Sequence, residues 1–93
     1  MVKHIVLFTV RDGEDKDAVA ALAASSLEPL VGQIPGLLSL EVKRCFAGCD
    51  FALISELESR DALDHYAPHP LHEAAKSRFF HLLSSRMAAD YEF

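Results

Sequence analysis

The chain has 93 residues, 51% of them hydrophobic and 25% charged, which bounds it to one folded domain with a single modest core. A net charge of -5 and a pI near 5.4, with no basic run or basic helix face, exclude a nucleic-acid backbone and an anionic membrane surface as partners. No apolar stretch approaches the length of a membrane span, and Met1-Val2-Lys3-His4 leads straight into a strand pattern without a signal peptide, so a cytoplasmic location is expected.

Val2 to Val10 is β-branched or aromatic almost throughout and reads as a strand. Alternation sets His4, Val6 and Phe8 on one face and Ile5, Leu7 and Thr9 on the other. Both faces are largely apolar, so a sheet with helices on one side would leave the second face uncovered. A second copy of the chain is the economical cover. Arg11-Asp12-Gly13-Glu14 reads as a turn, and Asp12 or Asp15 can cap the helix that follows. Over Asp17 to Val31 the residues Val19, Leu22, Ala23, Leu27 and Leu30 recur at helical spacing, and Pro29 should loosen the last turn. Gly32 to Gly36 ends that helix.

Leu38, Leu40 and Val42 alternate with Ser39, Glu41 and Lys43, as in a half-buried strand. Cys45 and Cys49 flank a short connection in a C-x3-C spacing that fits neither a redox nor a zinc motif, and are read as free thiols. Phe51 to Glu58 is a third strand, and Ser59 can cap a short helix from Arg60 to Tyr66. A longer helix is expected from Pro70 to about Ser85, with His72, Ala75, Phe79 and Leu82 on its inner stripe. Met87, Ala89, Tyr91 and Phe93 then alternate with Ala88, Asp90 and Glu92 as a last strand. The order βαββαβ, with its second helix broken, is that of an α+β, ferredoxin-like sandwich.

The break itself carries the chemistry. Tyr66-Ala67-Pro68-His69-Pro70-Leu71-His72 puts a phenol and two imidazoles into seven residues. Pro68 disfavours helix at Ala67, while Pro70 suits the first position of a new helix. His69 and His72 then lie near a helix N-terminus, whose partial positive charge favours the neutral imidazole. A neutral His beside a Tyr hydroxyl is acid/base equipment near pH 7. The residues also allow a structural role, in which His69 caps the helix, Tyr66 packs its ring and His72 satisfies a backbone carbonyl.

Met1 to Phe8, Ile34-Pro35-Gly36, Glu58-Ser59, Tyr66-x-x-His69-Pro70-x-His72 and Asp90-Tyr91 together resemble the stress-responsive dimeric α/β-barrel (Dabb) family over essentially the whole chain. The resemblance implies a homodimer in which two ferredoxin-like sheets close into an α/β barrel. At its acid/base residues the chain is similar to olivetolic acid cyclase, a plant member of that family, with Tyr66 and His72 standing at its catalytic tyrosine and histidine. His4 and His69 match further histidines of that enzyme. Ala24 and Leu27 stand where it has bulky aromatics, so its polyketide substrate is not carried over.

Two functions follow as expectations. One is a cofactor-free cyclase or lyase acting on a small carbonyl compound, with Tyr66 and His72 as its acid and base. Its substrate would bind between sheet and helices against His4, Val6, Phe8, Leu53, Phe79 and Leu82, with His69 alongside. The other is a non-catalytic dimer that binds an apolar ligand or serves a stress response. No ligand spacing compels a metal at His69, His72, His4 or Asp64, and no cofactor fingerprint is present, so neither is expected.

Overall fold

Strand β1 (Val2–Val10) lies inside a four-stranded sheet and pairs antiparallel on both edges in the computed structural model, which describes all 93 residues. One neighbour is β3 (Phe51–Leu57), with Val6 opposite Leu53 and Phe8 opposite Phe51. The other is β4 (Leu83–Glu92), with His4 opposite Asp90 and Phe8 opposite Arg86. β2 (Leu37–Arg44) forms the far edge beyond β3, so the order is β2-β3-β1-β4. The fold is ferredoxin-like.

The helices cover the face that carries Val2, Val6, Phe8 and Val10, all of them buried. Helix α1 (Lys16–Leu27) is capped by Asp15, whose carboxylate accepts the Ala18 N–H at 3.1 Å. Its buried Val19, Ala23 and Leu27 point at the sheet, as their spacing predicts. Pro29 tightens the chain into a 3-10 turn over Glu28–Leu30. The Glu28 carboxylate then accepts the Val42 N–H at 3.1 Å, satisfying a donor on the edge strand. Ser59 caps α2 (Arg60–Tyr66) by accepting the Ala62 N–H at 3.1 Å. Phe8, Phe51 and Phe79 make the aromatic centre of the core, with Phe8 and Phe51 stacked at 4.7 Å.

Three expectations change. Leu38 is exposed rather than inward, because a bulge between Leu37 and Ser39 lets Leu37 take the buried place. The last helix, α3 (Pro70–Ser77), stops well short of Ser85; a 3-10 turn over Phe80–Leu82 leads into β4, which begins at Leu83. Pairing with β1 along its whole length holds Ser84 to Ala89 extended despite their weak strand preference. Ala67 keeps helical dihedrals before Pro68, so α2 ends because Pro68 lacks an N–H and not because Ala67 leaves the helical region. Cys45 and Cys49 are free thiols whose sulfurs sit 3.5 Å apart across the β2–β3 connection.

The face of the sheet away from the helices exposes Leu7, Met87 and Tyr91, with Ile5 and Ile54 half-buried between them. The apolar patch centres on β1 and β4. Towards β2 it gives way to Glu41, Lys43 and a Lys3–Glu56 ion pair of 3.7 Å.

Gly36 locks the β2 entry against α2. Its φ is +86°, and a Cβ there would lie 2.6 Å from the Ala62 Cβ. Gly36→Ala should therefore combine backbone strain with overpacking and destabilise by about 2–4 kcal/mol. Gly32→Ala, at φ +88° with open space around it, should cost only about 1 kcal/mol. Urea unfolding of the two variants checks the difference; equal losses would contradict the packing account.

Candidate active site

The corner between α2 and α3 is built by hydrogen bonds that the two prolines leave room for. The His69 N–H donates to the Tyr66 carbonyl at 3.1 Å, and the Glu73 N–H donates to the His69 carbonyl at 2.9 Å. His69 is the N-cap of α3, its Nδ1 accepting the Leu71 N–H at 3.1 Å, and Pro70 sits at the first helical position. One turn on, His72 Nδ1 lies 2.9 Å from the Ala67 carbonyl. A carbonyl only accepts, so Nδ1 carries the proton and Nε2 of the neutral ring keeps its lone pair.

Tyr66 is 1% exposed, and its ring centroid is 4.2 Å from that of His72. Its hydroxyl is buried and finds no hydrogen-bond partner within the protein. Such a group costs about 1–3 kcal/mol, so native proteins seldom keep one without a reason. Burial pushes the Tyr66 hydroxyl well above its ordinary pKa and holds it as a proton donor. On the sheet, His4 sits 6.3 Å from Tyr66 between ring centroids, and its Nδ1 is hydrogen-bonded to the Asp90 carboxylate. Asp90 thereby fixes the His4 tautomer and leaves its Nε2 free. Ser55, fully buried below, donates to the His4 carbonyl at 3.2 Å.

These groups share a cavity of about 190 Å³ between sheet and helices. Its walls include Val6, Phe8, Leu53 and Phe79, with Leu27 from α1 and Leu63 from α2. His4, Tyr66, His72, Lys76 and Arg86 also line it, so apolar walls meet a few polar side chains. A wider groove of about 420 Å³ beside α2 has Arg60 already paired with Glu92.

Seven of the nine expected site residues thus meet in one place, and two do not. His69 spends its ring on the cap and borders a separate groove with Pro35, Gly36 and His65. Leu82 lies in the 3-10 turn and packs on the core outside the cavity, because α3 ends before it. Lys76 and Arg86 belong to the site without having been singled out, and Asp90, read only as part of the family resemblance, joins them through His4. The register of β4 against β1 brings Asp90 to His4 and Arg86 to Phe8, and a single sequence does not reveal that register. Lys76 was legible only as one turn beyond His72 on the same helix.

Known proteins match the chain over its full length. The stress responsive A/B barrel domain model matches residues 2–93. An uncharacterised protein of Streptomyces coelicolor is 34% identical over 98 residues, covering 100% of both chains. A dimeric protein of unknown function with a ferredoxin-like fold from Bacteroides fragilis is 35% identical, with a TM-score of 0.89 over 99% of this chain and 95% of that one. A dimeric ferredoxin-like protein of unknown function from Thermobifida fusca is 26% identical, with a TM-score of 0.83 over 99% and 90%.

Burial lowers the His72 pKa below its ordinary 6.5, and the Lys76 charge works in the same direction against the Ala67 carbonyl. Below pH 6.5 the unfolded chain consequently binds a proton that the folded chain resists. Stability linked to His72 is fully present above that pH and falls as the pH drops towards the depressed folded value. His72→Asn, whose amide nitrogen stands at the Nδ1 position, keeps a donor for Ala67 and should lose less stability than wild type between about pH 7.5 and 5.5. Urea midpoints at the two pH values test this; an equal or steeper fall in the variant would contradict it.

Proposed function

The chain belongs to the stress responsive A/B barrel domain (Dabb) family, and from that premise we propose that it is a cofactor-independent lyase or cyclase acting on a small carbonyl compound. The observation that carries this reading is the buried, unpartnered Tyr66 hydroxyl beside an imidazole that keeps a bare Nε2. In this mechanism a substrate carbonyl oxygen accepts the Tyr66 hydroxyl. His72 Nε2 removes a proton from the adjacent carbon, and the enolate oxygen stays hydrogen-bonded to Tyr66. The carbanion then attacks a second carbonyl or expels a leaving group, and His72 returns its proton to the product. The apolar walls, Val6, Phe8, Leu53 and Phe79 among them, lower the local dielectric and so strengthen each of these hydrogen bonds. The likeness to olivetolic acid cyclase belongs to this proposal, through Tyr66, His72 and His4.

The reading extends to assembly as a homodimer closed over the outer sheet face. The exposed Leu7, Met87 and Tyr91 favour it, and the Bacteroides and Thermobifida relatives are described as dimeric. A second reading, a dimer that binds an apolar ligand without turnover, draws on the capping roles that His69 and His72 already fulfil.

Deuterium incorporation from solvent into the α-carbon of a small ketone, followed by NMR, separates the two. Wild type should accelerate it, and Tyr66→Phe and His72→Gln should each reduce that rate by about 100- to 10,000-fold. Tyr66→Phe removes an unsatisfied buried group, so its melting temperature should stay level or rise. No acceleration by wild type would leave the binding reading.

The dimer has its own test. Leu7→Glu puts a charge into the centre of the apolar patch and should yield monomers or aggregates in sedimentation, where wild type runs as a dimer. A monomeric wild type at micromolar concentration would contradict the assembly.

A further inference from the structure

We propose that the ligand of the cavity is an organic acid, whose carboxylate is held at the rim by Arg86 and Lys76 while its apolar part lies against Phe8 and Phe79; this rests on the cavity being the binding site, and not on turnover. The chain carries a net charge of -5 with 9 basic residues, yet two of those bases line this one cavity and no Asp or Glu does. Both stand over the same ring: Lys76 Nζ is 5.3 Å and Arg86 Cζ 5.9 Å from the centroid of Phe80.

Two cations held beside one aromatic ring repel one another, and an anion that both can reach relieves the repulsion. Lys76 already has a partial counter-charge in Glu73 at 2.8 Å. Arg86 has none, since the six ion pairs of the protein all use other residues. Its guanidinium is the group best suited to a planar carboxylate, which it can hold with two parallel hydrogen bonds. The strand register keeps it on the cavity side, because Arg86 pairs with the inward-facing Phe8 and lies on the opposite face from Leu7 and Met87. A cavity of about 190 Å³ is below the roughly 300–1,000 Å³ of drug-sized sites, so the acid is small.

Calorimetric titration of the full chain with hexanoate and with its neutral isostere hexanamide tests the proposal. Wild type should bind hexanoate at least about tenfold more tightly than the amide. Arg86→Gln should bring the two within about threefold, and Arg86→Lys, which keeps the charge but not the two parallel hydrogen bonds, should fall between Arg86→Gln and wild type. Equal affinities in wild type, an undiminished preference in Arg86→Gln, or no binding of either compound up to about 10 mM would overturn it. Preference for hexyl phosphate over hexanoate by about tenfold would overturn the carboxylate in favour of a phosphoryl group. Acid preference in a protein without ketone exchange would leave this inference standing and remove only the catalytic one.

Discussion

The hydrogen bond from His72 to the Ala67 carbonyl ties together the features on which the candidate site depends. It gives a partner to a carbonyl left over at the C-terminal end of α2, it fixes the angle at which α3 leaves the corner, and it sets the tautomer of His72. All three follow from Pro68 and Pro70, which between them remove two backbone donors from a segment of three residues. A corner made of local bonds holds Tyr66 and His72 in contact without a loop of any length. The same corner uses His69 differently: an imidazole committed to a cap cannot also face the cavity.

Strand β1 connects this corner to the rest of the molecule. Its inward residues are the floor of the cavity from His4 to Phe8, and its outward residues are the middle of the exposed apolar patch. A strand apolar on both sides is stable only if both sides are covered. Helices do this on one side, and the proposed partner subunit does it on the other. Ligand site and dimer face would then lie back to back across a single layer of backbone.

Most of the fold is legible in the sequence because its signals are local. The alternation in β1, the stripe of α1, the caps at Asp15 and Ser59 and the Pro-His-Pro break all act within a few residues, and the structure bears them out. The C-terminal region is different. Phe79 to Leu83, apolar but for His81, fits helix and strand alike; a 3-10 turn takes Phe80 to Leu82, and β4 begins at Leu83, where pairing with a strand more than seventy residues away sets in. Arg86 and Asp90 gain their places through that pairing, so their part in the site could not be read without it. Leu38 shows the same limit on a smaller scale, where a bulge shifts the alternation by one residue. The Tyr66–His72 pair was legible because one corner positions both residues; the depth of Tyr66 and its lack of a partner were not.

The central claim is that the Tyr66 hydroxyl and His72 Nε2 act on one small carbonyl compound from the same side of the cavity. A crystal structure of the protein with 2,4-pentanedione tests it most directly. The account predicts a ligand oxygen within about 3.0 Å of the Tyr66 hydroxyl and the central carbon turned towards His72 Nε2 at about 3.5 Å. A ligand that avoids the cavity, or a Tyr66 hydroxyl bonded instead to a group of the protein, would contradict it.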